Sequence, residues 1–120
     1  MRNLCLALTT GLVLAIPIAA SDITGKWEVE ATFDDASLSG GGFDCAFTQD
    51  GEHLTGNCSE GTTPLTGEVK GQSISWRLQR GGNTPSVTTT FTGTLDEAGT
   101  NIKGRFTVAH KGGRFTASKQ

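Results

Sequence analysis

Cys45 and Cys58 are the residues with the clearest chemical potential in this sequence, and the chemistry they offer is a crosslink. The third cysteine, Cys5, lies in an apolar N-terminal run. His53 and His110 sit beside turn-forming residues with no His, Cys or Asp at metal-ligand spacing, so they read as exposed turn histidines. Asp34-Asp35, Asp44 and Asp50 supply charge enough for calcium but lack an Asp-x-Asp-x-Asp-Gly loop, and read as solvated loop acids. Serine and threonine are plentiful, yet there is no Gly-x-Ser-x-Gly and no base partner. No nucleophile, base and oxyanion set can be assembled, so the expectation is a protein that is not an enzyme and uses no metal or cofactor. That leaves Trp27 and Trp76, whose large apolar rings suit either a core or a ligand lining.

The elements that must position these residues begin after a leader. Arg2 followed by the almost wholly apolar Leu4 to Ile18 and the small residues Ala19-Ala20-Ser21 has the form of a secretory signal peptide over residues 1–20. Cleavage after Ala20 or after Ser21 fits the pattern, and the apolar run is too short for a membrane span. No cysteine follows the cleavage region, which argues against a lipid anchor. The expected location is secreted or periplasmic. Cys5 leaves with the leader, and export makes a Cys45–Cys58 disulfide the default for the remaining pair. Residues 21–120 are enough for one small domain.

Charge in that domain is segregated. From Ser21 to Glu68 there are ten acids and one base, and from Val69 to Gln120 two acids and eight bases. One reading is acidic strands lying beside basic ones; the other is a dipolar surface that steers a charged partner. The basic residues are spread singly with no aromatic platform among them, which disfavours nucleic acid.

Gly and Thr are abundant and no stretch sustains a helical period, so the domain reads as all-β. A short theme, apolar–Thr/Lys–Gly–x, occurs at Ile23-Thr24-Gly25-Lys26, Leu54-Thr55-Gly56-Asn57, Leu65-Thr66-Gly67-Glu68, Phe91-Thr92-Gly93-Thr94 and Ile102-Lys103-Gly104-Arg105. Each copy lies in alternating apolar and polar sequence, the period of a half-buried strand. Eight strands are expected, over 23–33, 43–49, 54–59, 65–69, 73–79, 87–95, 102–109 and 114–119, with loops over 34–42 and 80–85. Tight turns are expected at Lys70-Gly71 and Lys111-Gly112-Gly113. All six Phe and both Trp then fall on inner faces.

The register of one hairpin can be argued from the cysteines. A four-residue loop, Asp50-Gly51-Glu52-His53, sets Gln49 against Leu54, Phe47 against Gly56 and Cys45 against Cys58, which suits a disulfide. A two-residue Asp50-Gly51 turn would set Cys45 against Gly56 instead. The expected fold is an eight-stranded antiparallel up-and-down β-barrel with one hairpin disulfide, with a two-sheet sandwich as the alternative. Inward Gly25, Gly56, Gly67, Gly93 and Gly104 would let strands coil where the barrel narrows.

A Gly-x-Trp on the first strand of such a barrel resembles the calycin group of lipocalins, fatty-acid-binding proteins and avidins. The likeness to the avidin and streptavidin branch runs through most of the mature chain: Ile23-Thr24-Gly25-Lys26-Trp27, Leu54-Thr55-Gly56, Pro64-Leu65-Thr66-Gly67, Ser73-Ile74-Ser75-Trp76-Arg77, Thr89-Thr90-Phe91-Thr92-Gly93 and Phe115-Thr116-Ala117-Ser118-Lys119 occur in the family's order. The resemblance implies a barrel with an apolar cup lined by Trp76, Thr89, Phe91 and Phe106, with Trp27 assigned to the core or to the lining. It does not bring biotin with it. The head-group positions of the first strand fall on Val29, Ala31 and Phe33, the family's Tyr falls on Cys58, the chain has no Tyr, and the C-terminal segment that completes the avidin pocket is missing.

Two functions follow. The first is a small apolar ligand held in the barrel mouth. The second is a protein-interaction or protease-inhibitor-like module of the cell envelope, working through its charged surface or the loops over 34–42 and 80–85.

Overall fold

The computed structural model describes residues 22–80 and 87–120, with Arg80 and Val87 described in backbone only. The expected leader over 1–20, both cleavage positions and the loop expected over 80–85 lie outside the described side chains. Eight strands follow one another: β1 (Gly25–Phe33), β2 (Gly41–Asp50), β3 (His53–Cys58), β4 (Thr63–Lys70), β5 (Ser73–Arg80), β6 (Val87–Leu95), β7 (Asn101–Val108) and β8 (Lys111–Lys119). Each pairs antiparallel with its neighbours in sequence, and β8 returns to pair with β1, so the sheet is a closed up-and-down barrel rather than a sandwich.

The two-residue period drives this arrangement. In β1, Trp27 and Val29 are buried while Lys26, Glu28 and Glu30 are exposed. In β7, Ile102 and Phe106 are buried while Lys103 and Arg105 are exposed. The outer wall is therefore polar and the inside apolar, the reverse of a barrel that faces lipid. Among the described residues no helix is long and apolar enough to cross a membrane.

The β2–β3 hairpin has the expected register and a tighter turn than expected. Gln49 pairs with Leu54, Phe47 with Gly56 and Cys45 with Cys58, and the two cysteines form the disulfide. The ladder extends one step further, to Asp50 and His53, so only Gly51 and Glu52 turn. Gly51 has φ +64°, which a two-residue hairpin requires at its first central position. The β4–β5 turn repeats the solution: Lys70 pairs with Ser73, so the turn is Gly71-Gln72 rather than Lys70-Gly71.

Two elements differ more from expectation. β2 starts at Gly41, so the loop between β1 and β2 spans 34–40; Gly41 and Gly42 pair with Ala31 and Glu30 instead of remaining in the loop. β8 starts at Lys111, and the turn before it is Ala109-His110, with φ +51° and +74°. Gly112 and Gly113 are strand residues, and at Gly113 only glycine fits: a Cβ there would lie 2.1 Å from Thr32 O and 2.7 Å from the Phe106 ring.

Inside, glycines sit opposite the largest side chains. Gly67 pairs with Trp76, Gly104 with Phe115, and Gly25 and Gly56 flank Phe47. A Cβ on Gly104 would meet Thr92 O at 2.0 Å and Gly93 Cα at 2.4 Å, so the strands approach here because no side chain intervenes. One end of the barrel is solid. Ile23, Trp27, Leu54, Ile74, Leu95, Ile102 and Ala117 are almost fully buried there, and the Trp27 indole Nε1 donates to Ile23 O at 2.8 Å. Gln49 Oε1 accepts from Ile23 N at 2.9 Å, tying the entering chain across the closed end.

Candidate functional site

The other end is hollow. It is formed where the β1–β2, β3–β4 and β7–β8 connections meet: the 34–40 loop, the Ser59–Thr62 turn and the Ala109-His110 turn all lie at this mouth. A cup of about 340 Å³ opens there, with Phe33, Phe43, Phe91 and Phe106 as its rings, Leu78 and Val108 as aliphatic wall, and Ser59, Thr63 and Thr89 as hydroxyl groups. That volume lies in the range of small-ligand pockets.

The rings hold one another in place. Phe33 meets Phe106 edge-on with centroids 5.1 Å apart, and Phe43 meets Phe91 edge-on at 6.0 Å. Phe91 and Phe106 are stacked at 5.7 Å and form the floor. Beneath the floor Trp76 stacks on Phe91 at 4.9 Å with only 10° between the planes. The series continues through Phe47, 5.1 Å from Trp76, to Trp27, 6.0 Å further, so aromatic contacts run from the cup to the closed end.

Polar groups are few and uncharged. Thr63 is the buried polar residue of the described chain, 7% exposed. Thr89 is half-buried on β6, opposite Leu78 of β5 and Val108 of β7. Among the described residues the cup lining contains no Asp, Glu, His, Lys or Arg. Charge stays at the rim, where Asp34 pairs with Arg105 and Asp34 N donates to Gly112 O at 3.0 Å. Asp35 braces the same loop: Ser37 Oγ and Ser37 N both donate to its carboxylate, and these hydrogen bonds hold its pKa below the ordinary value.

Of the five residues singled out from the sequence, Thr89, Phe91 and Phe106 line the cup. Trp76 is one layer down, separated from the cavity by Phe91, and its buried Nε1 has no hydrogen-bond partner among the described residues. Trp27 is at the far end, fully buried and hydrogen-bonded, in the core position rather than the lining. Phe33, Phe43 and Thr63 join the site without having been singled out for it. The signal for the two Phe was their inner-face phase at the mouth ends of β1 and β2; Thr63 had none, because Pro64 concealed the start of β4. A larger depression, about 610 Å³, lies on the outer wall between Glu30, Thr32, Lys103, Arg105, Arg114 and Thr116. It is a groove between exposed charged side chains, with no ring walls.

No family model matches the sequence, and no curated protein matches it. Among solved structures, a redesigned β barrel, mFAP1, bound to DFHBI, is similar with a TM-score of 0.52 and 15% identity, over 82% of this chain and 94% of the other. At that identity the likeness is one of fold: a closed eight-stranded barrel.

Proposed function

We propose that this chain is an exported binding protein that takes a small apolar ligand into the mouth of its barrel and does no chemistry on it. The observation that carries the proposal is the aromatic cup of about 340 Å³ at one end of a barrel whose other end is solid. The similar designed barrel was solved with a small molecule bound, which accords with this use of the fold. A relationship to avidins and lipocalins is part of the proposal, supported by Gly25-Lys26-Trp27 on β1, the inward Trp76 on β5 and the Thr89–Phe91 pair on β6. Biotin is not the proposed ligand: Val29, Ala31 and Phe33 offer its head group no hydrogen bond, and Cys58 is held in a disulfide.

Titration with a broad panel of apolar molecules should shift the emission of Trp76, which lies directly under the cup floor. A flat response across the panel would overturn the reading. Export is tested by the N-terminus of the protein recovered outside the cytoplasm, which should begin at Ser21 or Asp22.

The outer wall supports a second reading, a protein partner bound electrostatically. Arg105 and Arg114 are directly opposed on β7 and β8 with Lys103 beside them; Asp34 pairs with Arg105, and the exposed Arg114 and Lys103 are left to meet an anionic surface. Capture of such a partner should be lost as salt is raised through the screening range.

A further inference from the structure

The cup is not uniformly apolar, and its asymmetry indicates what kind of molecule fills it. Rings dominate one side: Phe33 from β1, Phe43 from β2 and Phe106 from β7. Of the lining hydroxyl residues Ser39 and Ser59 are exposed at the rim, and the more buried ones, Thr63 on β4 and Thr89 on β6, flank Leu78 on β5 on the other side. Thr63 is only 7% exposed, so a ligand filling the cup screens its hydroxyl from water, and an uncharged ligand group can take over that hydrogen bond. A charged ligand group would find no counter-ion among the described lining residues and would lose its hydration on entry.

We infer that the cup is built for an uncharged, flat aromatic molecule with one hydrogen-bonding substituent. The ring system lies among Phe33, Phe43 and Phe106 above the Phe91 floor, where edge-to-face and stacked contacts are available. The substituent reaches Thr63, with Thr89 as its second neighbour. This inference rests on the proposed ligand cup, and it specifies the ligand's shape and polarity. A straight aliphatic chain would fill the volume but leave the hydroxyls and ring edges unused.

The test is titration calorimetry on the oxidised protein with four probes: 2-naphthol, naphthalene, 1-octanol and 2-naphthalenesulfonate. 2-Naphthol should bind most tightly, roughly three- to tenfold more than naphthalene, the value of one hydrogen bond between neutral groups. The sulfonate should bind most weakly of the aromatics. In Thr63→Val the advantage of 2-naphthol over naphthalene should disappear while naphthalene affinity stays unchanged, and Thr63→Ser should restore the advantage. The unchanged naphthalene affinity doubles as the control that the variant is folded. If 1-octanol binds and neither naphthalene nor 2-naphthol does, the cup is a ligand site but the aromatic assignment is wrong. If the 2-naphthol advantage persists in Thr63→Val, the polar edge is wrongly placed. Failure of all four probes would remove the ligand cup itself.

Discussion

At the scale of single residues, apolar phase was legible and polar placement was not. Every Phe and Trp lies on the inner face that alternation assigns, because one reversed aromatic would set a large ring in water and leave a hole inside. Thr63 escaped notice because Pro64 cannot donate to a ladder, so the strand was expected to begin at Leu65; in the barrel Pro64 pairs across from Asn57 and its neighbour turns inward. Trp27 and Phe106 now make opposite predictions. Trp27→Ala should cost about 3–5 kcal/mol through the cavity it opens, measured by denaturant unfolding, while ligand affinity stays close to wild type. Phe106→Ala should weaken aromatic binding more than it weakens the fold, since one face of that ring already borders the cup. Asp96 supplies the pH dependence. Its carboxylate accepts from Thr100 N at 3.0 Å, and from the backbone and side-chain nitrogens of Asn101 at 3.2 Å, which lowers its pKa. A lowered native pKa stabilises the β6–β7 turn above the ordinary carboxylate value, and the contribution is lost as pH falls through the native one. NMR titration should show Asp96 releasing its proton at lower pH than a free Asp, and Thr100→Pro, which removes the first donor, should move that titration back up.

Elements were legible in number and order, and less so in their ends. Glycine is the commonest turn signal, so Gly112 and Gly113 were expected to turn; both lie in β8, and Gly113 lets that strand pass close against Phe106 and Thr32. The turn fell instead to Ala109 and His110, two residues held at positive φ, where a Cβ is crowded. Replacing the pair by Asn-Gly should stabilise the protein by about 1 kcal/mol, seen as a raised thermal midpoint, because that dipeptide favours the required turn. The disulfide was legible because two inward cysteines on adjacent strands allow only one pairing at the observed register. Reduction should cost roughly 3 kcal/mol on the chain-entropy estimate, and the loss should reverse on reoxidation.

For the molecule as a whole, closure was foreseeable and the hollow was not. Eight short amphipathic strands joined in sequence leave two edges, and pairing β1 with β8 removes both. Whether the interior is filled depends on how ring planes tilt at one end, which residue type and period do not specify. The seam between β1 and β8 also sets the order of events when the chain is made. β1 is the first strand of the barrel to emerge and waits for the eighth: Trp27 finds its partner Lys119, and Lys26 O accepts from Gln120 N at 2.8 Å, only after β2 to β7 have been synthesised. Hairpins β2–β3 and β4–β5 can form early and locally, but the barrel cannot close around a partial chain. Joining the neighbouring ends and reopening the chain at the Gly71-Gln72 turn should give a permuted protein with the same barrel, in which the former seam forms as a local hairpin and refolding in stopped-flow experiments is faster.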